Sequence, residues 1–143
     1  LSVQEERAVA NDWNEKIIEE FRANRGQVES FGNAPLLILH TTGAKTGQER
    51  ESPVLYRSQG DDLIVFASFA GAPVNPAWYH NLVAHPDATV ELGTETRRVR
   101  ARVADPEERD RLWEWNKQDY PGFGDYEEKT DRTIPVVILE PAG

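Results

Sequence analysis

Between Pro35 and Ser68 three apolar runs, PLLILHTT, SPVLYRS and LIVFAS, follow one another with connections too short to hold a crossover helix. Parallel neighbours need a crossover of roughly a dozen residues or more, so this order demands antiparallel pairing. The first connection is the polar loop TTGAKTGQER, and the second is the turn QGDD, whose carboxylates suit solvent. Two further runs, ATVELG and ETRRVRARVA, meet at a Gly93-Thr94 turn, and TIPVVILEP supplies a sixth near the end. In the fifth run Arg98, Arg100 and Arg102 share one face and Val99, Ala101 and Val103 the other, which is the period of a half-exposed strand. Pro135 has no amide hydrogen for a ladder, so an edge or a bulge is expected there.

Helical patterns flank these runs. Ser2 and Glu5 have capping-box spacing, and Val9, Trp13, Ile17 and Phe21 repeat every four residues, with Ile18 widening the stripe and Asn24 to Gly26 ending it. In GAPVNPAWYHNLVAHP the expected N-cap is Asn75 and the first helical residue Pro76; Trp78, Tyr79, Leu82 and Val83 form a short apolar stripe ended by Pro86. A third helix starts in DPEERDRLWEW, with Asp105 as cap, Pro106 in the first turn, and Glu107 and Glu108 against the positive helix end. Pro121 and Gly122 break it in DYPGFGDY. Six strands, a long first helix and two later ones lack βαβ alternation. They predict an α+β domain whose antiparallel sheet curls into a small barrel.

A chain of 143 residues suits one domain with one core, residues 1–143, of which 1–26 form the leading helix and 33–141 the barrel core. The chain starts at Leu1, so its native amino terminus stays open. Its 25 acidic residues against 16 Lys plus Arg give a net charge of −9, which opposes non-specific binding to nucleic acid or anionic lipid. No cysteine is present, which removes disulfide and thiolate chemistry, and no stretch approaches the ~18 consecutive apolar residues of a membrane span. The three histidines, His40, His80 and His85, lack the spacing of a zinc helix, no metal site is expected, and no nucleophile elbow occurs.

Against this acidity TTGAKTGQER is basic. Gly43 and Gly47 allow close backbone approach or positive φ, Thr41, Thr42 and Thr46 offer hydroxyls, and Lys45 and Arg50 suit phosphate or carboxylate oxygens. The spacing is not that of a phosphate-binding P-loop, and on spacing alone a hairpin with exposed charges competes with an anion site. A second loop, ASFAGAP, leads into the helix start at Asn75, itself a natural anion site, so two loops can hold opposite sides of an extended phosphorylated cofactor. Trp78 and Tyr79 then wall an aromatic ring system or simply pack in the core.

Taken in order, TTGAKTGQER with SPVLY, ASFAGAPVNPAWYHNLVAHPDATV, ERDRLW and YPGFGDYEEKTDRTIPVVILEP resemble the deazaflavin (F420)-dependent nitroreductase family, with its actinobacterial quinone reductase-like members. The resemblance covers about Asn33 to Pro141 and implies a split β-barrel of the flavin-reductase type. It implies that coenzyme F420 binds with Lys45, Thr46 and Arg50 at its anionic tail or phosphate. Ser52, Pro53 and Tyr56 would line the adjacent strand, and Ala67, Ser68, Ala70 and Gly71 would bring backbone toward the cofactor. Pro76, Trp78, Tyr79 and Asn81 match the helix motif, and Tyr120, Phe123 and Tyr126 an aromatic segment that borders substrate. Phe69 stands where some relatives have lysine, Ala70 where they have glycine, and Phe123 where they have tyrosine, which places coenzyme affinity and nitro-group reduction in question.

The implied reaction is hydride transfer from the reduced deazaflavin to a quinone, nitroaromatic or activated enone, the cofactor carrying the difficult chemistry. Tyr126, then Tyr120, are the expected polar residues facing substrate, and Ser68 can hydrogen-bond ring or substrate. The competing expectations are an FMN-dependent oxidoreductase, a cofactor-binding protein without turnover, and a plain interaction domain. The partner is a small-molecule electron acceptor and not nucleic acid. The expected location is the cytoplasm, with weak membrane association if the acceptor is a membrane quinone; oligomeric state is left open.

Overall fold

The computed structural model describes residues 14–31, 35–68 and 74–142, so Ser2, Glu5, Val9 and Trp13 of the first helical pattern lie outside the described residues. Helix α1, residues 14–23, leads through a short 3-10 turn at Glu29–Phe31 into strand β1, Leu36–Thr42. Strands β2 (Glu49–Gln59) and β3 (Asp62–Phe66) complete the meander, followed by helix α2 (Ala77–Ala84) and the hairpin β4 (Asp87–Leu92) and β5 (Glu95–Val103). Helices α3 (Pro106–Asp119) and α4 (Gly122–Glu128) precede the last strand, β6 (Val136–Pro141). All pairings are antiparallel, and the sheet closes in the order β1-β2-β3-β6-β5-β4, with β4 returning to β1. This is the expected split barrel.

Alternation along the strands decides where each side chain goes. Leu37 and Leu39 of β1, Leu63 and Val65 of β3, and Val137 and Leu139 of β6 meet Val54, Val90 and Val99 inside the barrel. The intervening residues point outward. Leu36 and Ile38 pack under Ile17, Ile18 and Phe21 of α1, while Ile64, Phe66, Val136 and Ile138 pack under Leu112 and Trp113 of α3. Both faces of these three strands are therefore buried, which is why their sequences read as continuous apolar runs. Strand β5 is covered on one side only: Val99 is buried, while Arg100 pairs with Asp87 and Arg102 with Glu108 and Glu140 on the solvent face. The three arginines belong to a solvated strand face, as its period requires.

Helix α2 covers one end of the barrel, its Trp78 and Leu82 joining the interior cluster. Helix α3 begins as its sequence dictates, Asp105 accepting a hydrogen bond from the Glu108 amide at 2.9 Å. Pro135 lies just before β6, which is flanked by β3 and β5 rather than forming an edge; its carbonyl accepts from Ala67 N at 3.0 Å. Helix α4 departs from expectation: the break at Pro121 and Gly122 is followed at once by a seven-residue helix, GFGDYEE. Its glycines hide it from helical propensity, and tertiary contacts hold it: Glu127 accepts from Trp113 Nε1 at 2.8 Å and from Lys117 Nζ at 2.9 Å. Trp113 hydrogen bonding first, and Lys117 second, hold the Glu127 carboxyl below its ordinary range. Among the described residues no helix is long and apolar enough to cross a membrane.

Two glycines fasten α1 to the β4–β5 hairpin. Gly26 has φ +93° and Gly93 φ +58°, and a Cβ on Gly26 would sit 2.8 Å from Gly93 Cα. Gly26→Ala therefore combines strain with a backbone clash and is expected to cost about 2–3 kcal/mol. Gly60→Ala has strain alone, since nothing lies within 4 Å of its Cβ, and is expected to cost about 1 kcal/mol. Equal losses for the two in urea unfolding would contradict this packing.

Candidate functional site

The basic loop between β1 and β2 is a compact turn. Gly43 N donates to Gln48 O at 2.7 Å, Gly47 N to Gly43 O at 2.9 Å, and Gln48 N to Thr46 Oγ1 at 3.2 Å. Gly47 has φ +71°, and a Cβ on Gly43 would meet Thr46 Oγ1 at 2.7 Å, so the loop needs both glycines. Its backbone is docked on α2: Ala44 N donates to Asn81 Oδ1 at 2.9 Å, and Asn81 Nδ2 donates to Thr41 Oγ1 at 3.1 Å. Asn81 and Thr41 are buried. The Asn81 amide is engaged at both ends, so it shapes the loop.

Lys45, Thr46 and Arg50 remain exposed around this loop. Among the described residues neither Lys45 nor Arg50 has an ion-pair partner, whereas Arg22, Arg57, Arg100, Arg102 and Lys117 are all paired. In the adjoining strand, Ser52 pairs with Leu39 and Pro53 with Ile38, so Ser52 and Tyr56 share the side of buried Val54 and Pro53 faces outward. The three cannot line a single surface.

At the other end of β3, Ala67 and Ser68 are buried; Ala70 and Gly71, with Phe69, lie outside the described residues. Helix α2 starts one position later than expected: Pro76 is its cap, with no side-chain cap bond, and Asn75 instead accepts from Arg132 Nη1 at 2.6 Å. Arg132 Nη2 donates to Ser68 O at 2.9 Å. Trp78 is buried in the barrel cluster, Tyr79 packs against it half-exposed, and Val83, expected in the apolar stripe, is 57% exposed.

The aromatic segment meets the outer face of β3. Phe123 lies 5.7 Å from Phe66 and 5.4 Å from Tyr126, centroid to centroid, while Tyr120 is on the surface beneath the Arg57 guanidinium. Arg57 stacks on Trp115 at 3.7 Å and pairs with Asp119. A cavity of about 20 Å³ among Tyr56, Phe66, Tyr120 and Phe123 also touches Asn116, a buried residue whose Nδ2 has no hydrogen-bond partner among the described residues. Asn116, Arg57 and Arg132 were not among the expected site residues. A buried amide or half-buried guanidinium reveals itself only through the partner it meets.

A charged cluster sits behind the loop. His40, at the end of β1, places Nδ1 2.7 Å from Glu49 Oε1 and Nε2 2.6 Å from Glu91 Oε2, and Arg22 of α1 binds Glu91 through Nε at 3.0 Å and Nη2 at 2.7 Å. Burial pushes the imidazole pKa down, but hydrogen bonds to Glu91 and Glu49 outweigh it, leaving His40 above its ordinary value of 6.5. The Arg22 hydrogen bond, opposed by burial and helped by His40, holds Glu91 below its ordinary 4.5.

A family described as F420H(2)-dependent quinone reductase matches residues 13–141. An F420H(2)-dependent quinone reductase of Mycobacterium tuberculosis H37Rv is 41% identical over 111 residues, 76% of this chain and 74% of that protein. The solved structure of an F420-H2 dependent reductase, FDR-A, superposes with a TM-score of 0.67 at 36% identity, covering 74% of this chain and 94% of its own. A structure described as a domain-swapped dimer gives 0.69 at 32% identity, covering 92% and 99%.

The His40 cluster has a defined pH window. Because the folded-state pKa of His40 is raised, its stabilisation is full below about pH 6.5 and is lost as pH rises through the raised value; that of Glu91 holds above about pH 4.5 and is lost as pH falls through the lowered one. The unfolding free-energy difference between wild type and His40→Gln should be on the order of 1 kcal/mol near pH 6 and fade as pH rises through the raised His40 value. A difference that does not change with pH would remove the charged pairing.

Proposed function

The chain belongs to the F420H(2)-dependent quinone reductase family, and from that premise we propose that Lys45 and Arg50 hold the anionic part of its deazaflavin coenzyme, with Ser68, Tyr79 and the Tyr120–Tyr126 segment beside the ring and the electron acceptor. The protein is an oxidoreductase of this F420-dependent type, passing a hydride to a small-molecule acceptor. The observation that carries the assignment of residues is the pair of exposed cations, unpaired among the described residues, on a loop whose backbone Asn81 ties to α2.

The residues present suit such a group. An acidic chain leaves Lys45 and Arg50 available where most of its other arginines are neutralised, and the absence of space for a Cβ on Gly43 keeps the loop tight beneath them. Lys45 is a point charge and Arg50 a planar fork, a combination that holds phosphate or carboxylate oxygens. When bound, the reduced deazaflavin supplies the hydride. Phe123 packs tilted against Phe66 and edge to face against Tyr126, an apolar cluster that keeps water from the neighbouring surface. The Ser68 hydroxyl offers a hydrogen bond to ring or acceptor, and the Tyr126 hydroxyl a proton to the acceptor oxygen. With Phe69 in place of a cation, Lys45 and Arg50 carry the anionic contact.

Spectroscopic titration with oxidised F420 and, separately, FMN tests this reading. Wild type should bind F420 in preference to FMN, and Lys45→Gln with Arg50→Gln should weaken F420 binding about 10- to 100-fold. In turnover, Tyr126→Phe should lower kcat about 100-fold if its hydroxyl moves the proton. Preference for FMN, or a double variant that binds F420 as wild type does, would overturn the site; unchanged turnover in Tyr126→Phe would remove that role alone.

A further inference from the structure

Arg132 lies in the connection between α4 and β6, far in sequence from the residues it holds. Its Nη1 donates to Asn75 Oδ1 at 2.6 Å and its Nη2 to Ser68 O at 2.9 Å. One acceptor follows β3 and the other precedes Pro76, the cap of α2, so the two nitrogens of one rigid group join two pieces of chain that converge on the site. Both acceptors are neutral, and the fork of the guanidinium fixes their separation by geometry. Ser68 is buried at 9% exposure, Ala67 beside it is held by Pro135 O at 3.0 Å, and Thr130 Oγ1 accepts from Arg132 N at 3.4 Å. The segment bearing Arg132 is thus itself tied to the strand end it braces.

We propose that Arg132 is a positioning residue for the reduction, setting the distance between Ser68 and the Trp78-Tyr79 turn of α2, the two walls that flank the cofactor ring. This rests on the reading of Ser68 and Tyr79 as cofactor-facing. Burial lowers the Arg132 pKa from its ordinary value, in keeping with a side chain held against protein. Lysine keeps the charge but presents a single ammonium, which cannot span both acceptors in the same geometry. A displacement of about 1 Å at a reacting centre is worth roughly 100-fold in rate.

The test is Arg132→Lys, with Asn75→Ala and Asn75→Asp beside it, read by thermal melting, F420 titration and the split between kcat and KM for menadione. Arg132→Lys should melt close to wild type yet bind oxidised F420 about 10-fold more weakly and lose about 10- to 100-fold in kcat. Asn75→Ala should follow in the same direction, while Asn75→Asp, which keeps an acceptor oxygen, should retain most activity. An Arg132→Lys variant with wild-type affinity and kcat overturns the proposal. So does a loss of activity that tracks lost melting temperature and returns on cooling. Failure of the wild type to bind F420 would sink the cofactor reading and this proposal together, whereas wild-type binding with an unaffected Arg132→Lys removes the positioning role alone.

Discussion

Burial of both faces of β1, β3 and β6 is the constraint from which the rest of the molecule follows. Each of the interior leucines and valines and each outward isoleucine or phenylalanine on these strands removes enough apolar surface from water to contribute about 1.5–3 kcal/mol. The inner faces can be satisfied only by closing the sheet, and the outer faces only by laying α1 and α3 against it. Closure leaves no strand edge and directs functional variety to the connections. The β1–β2 loop, the residues after β3 and the start of α2 are placed by strands packed on both sides, since a one-residue slip would exchange the interior leucines and valines with the differently shaped side chains packed under α1 and α3.

Polar side chains, buried in the case of Asn81 and half-buried in the others, then join those connections to one another. Asn81 links α2 to the basic loop, Arg132 links the residues after β3 to Asn75 ahead of the α2 cap, and Glu127 locks α4 to α3. Each uses donors and acceptors from distant segments, so the loops are braced by the body of the protein. Asn116 is the exception. Its buried Nδ2, unpaired among the described residues, lies beside the small aromatic cavity; an unmet hydrogen bond there is worth about 1–3 kcal/mol if left dry, and the space of about 20 Å³ is enough for one water.

Much of this order was legible in the sequence, and the parts that were not share a physical cause. Continuous apolar runs gave the strands, Gly60 and Gly93 the hairpins, and Asp105 its helix start, because those signals are local. Helix α4 was missed because Gly122 and Gly124 depress helical propensity and its support comes from Trp113 and Lys117. Asn75 was read as a cap because capping is its common local use, whereas a guanidinium 57 residues away takes its side chain. Lys45 and Arg50 stood out as basic residues in an acidic chain. Their lack of described partners, and the bracing by Asn81 and Arg132, belong to tertiary contacts that no local pattern records.

The central claim is that one anionic cofactor lies against the basic loop, the end of β3 and the start of α2 at once. The most direct measurement is the amide NMR spectrum of the full chain during addition of oxidised F420. The account predicts saturable shifts at Ala44 to Gln48, Ser68 and Ala77 to Tyr79 with a common dissociation constant, and little change at Arg98 to Arg102 on the solvated face of β5. Shifts confined to one of the three segments, or strongest on β5, would contradict it.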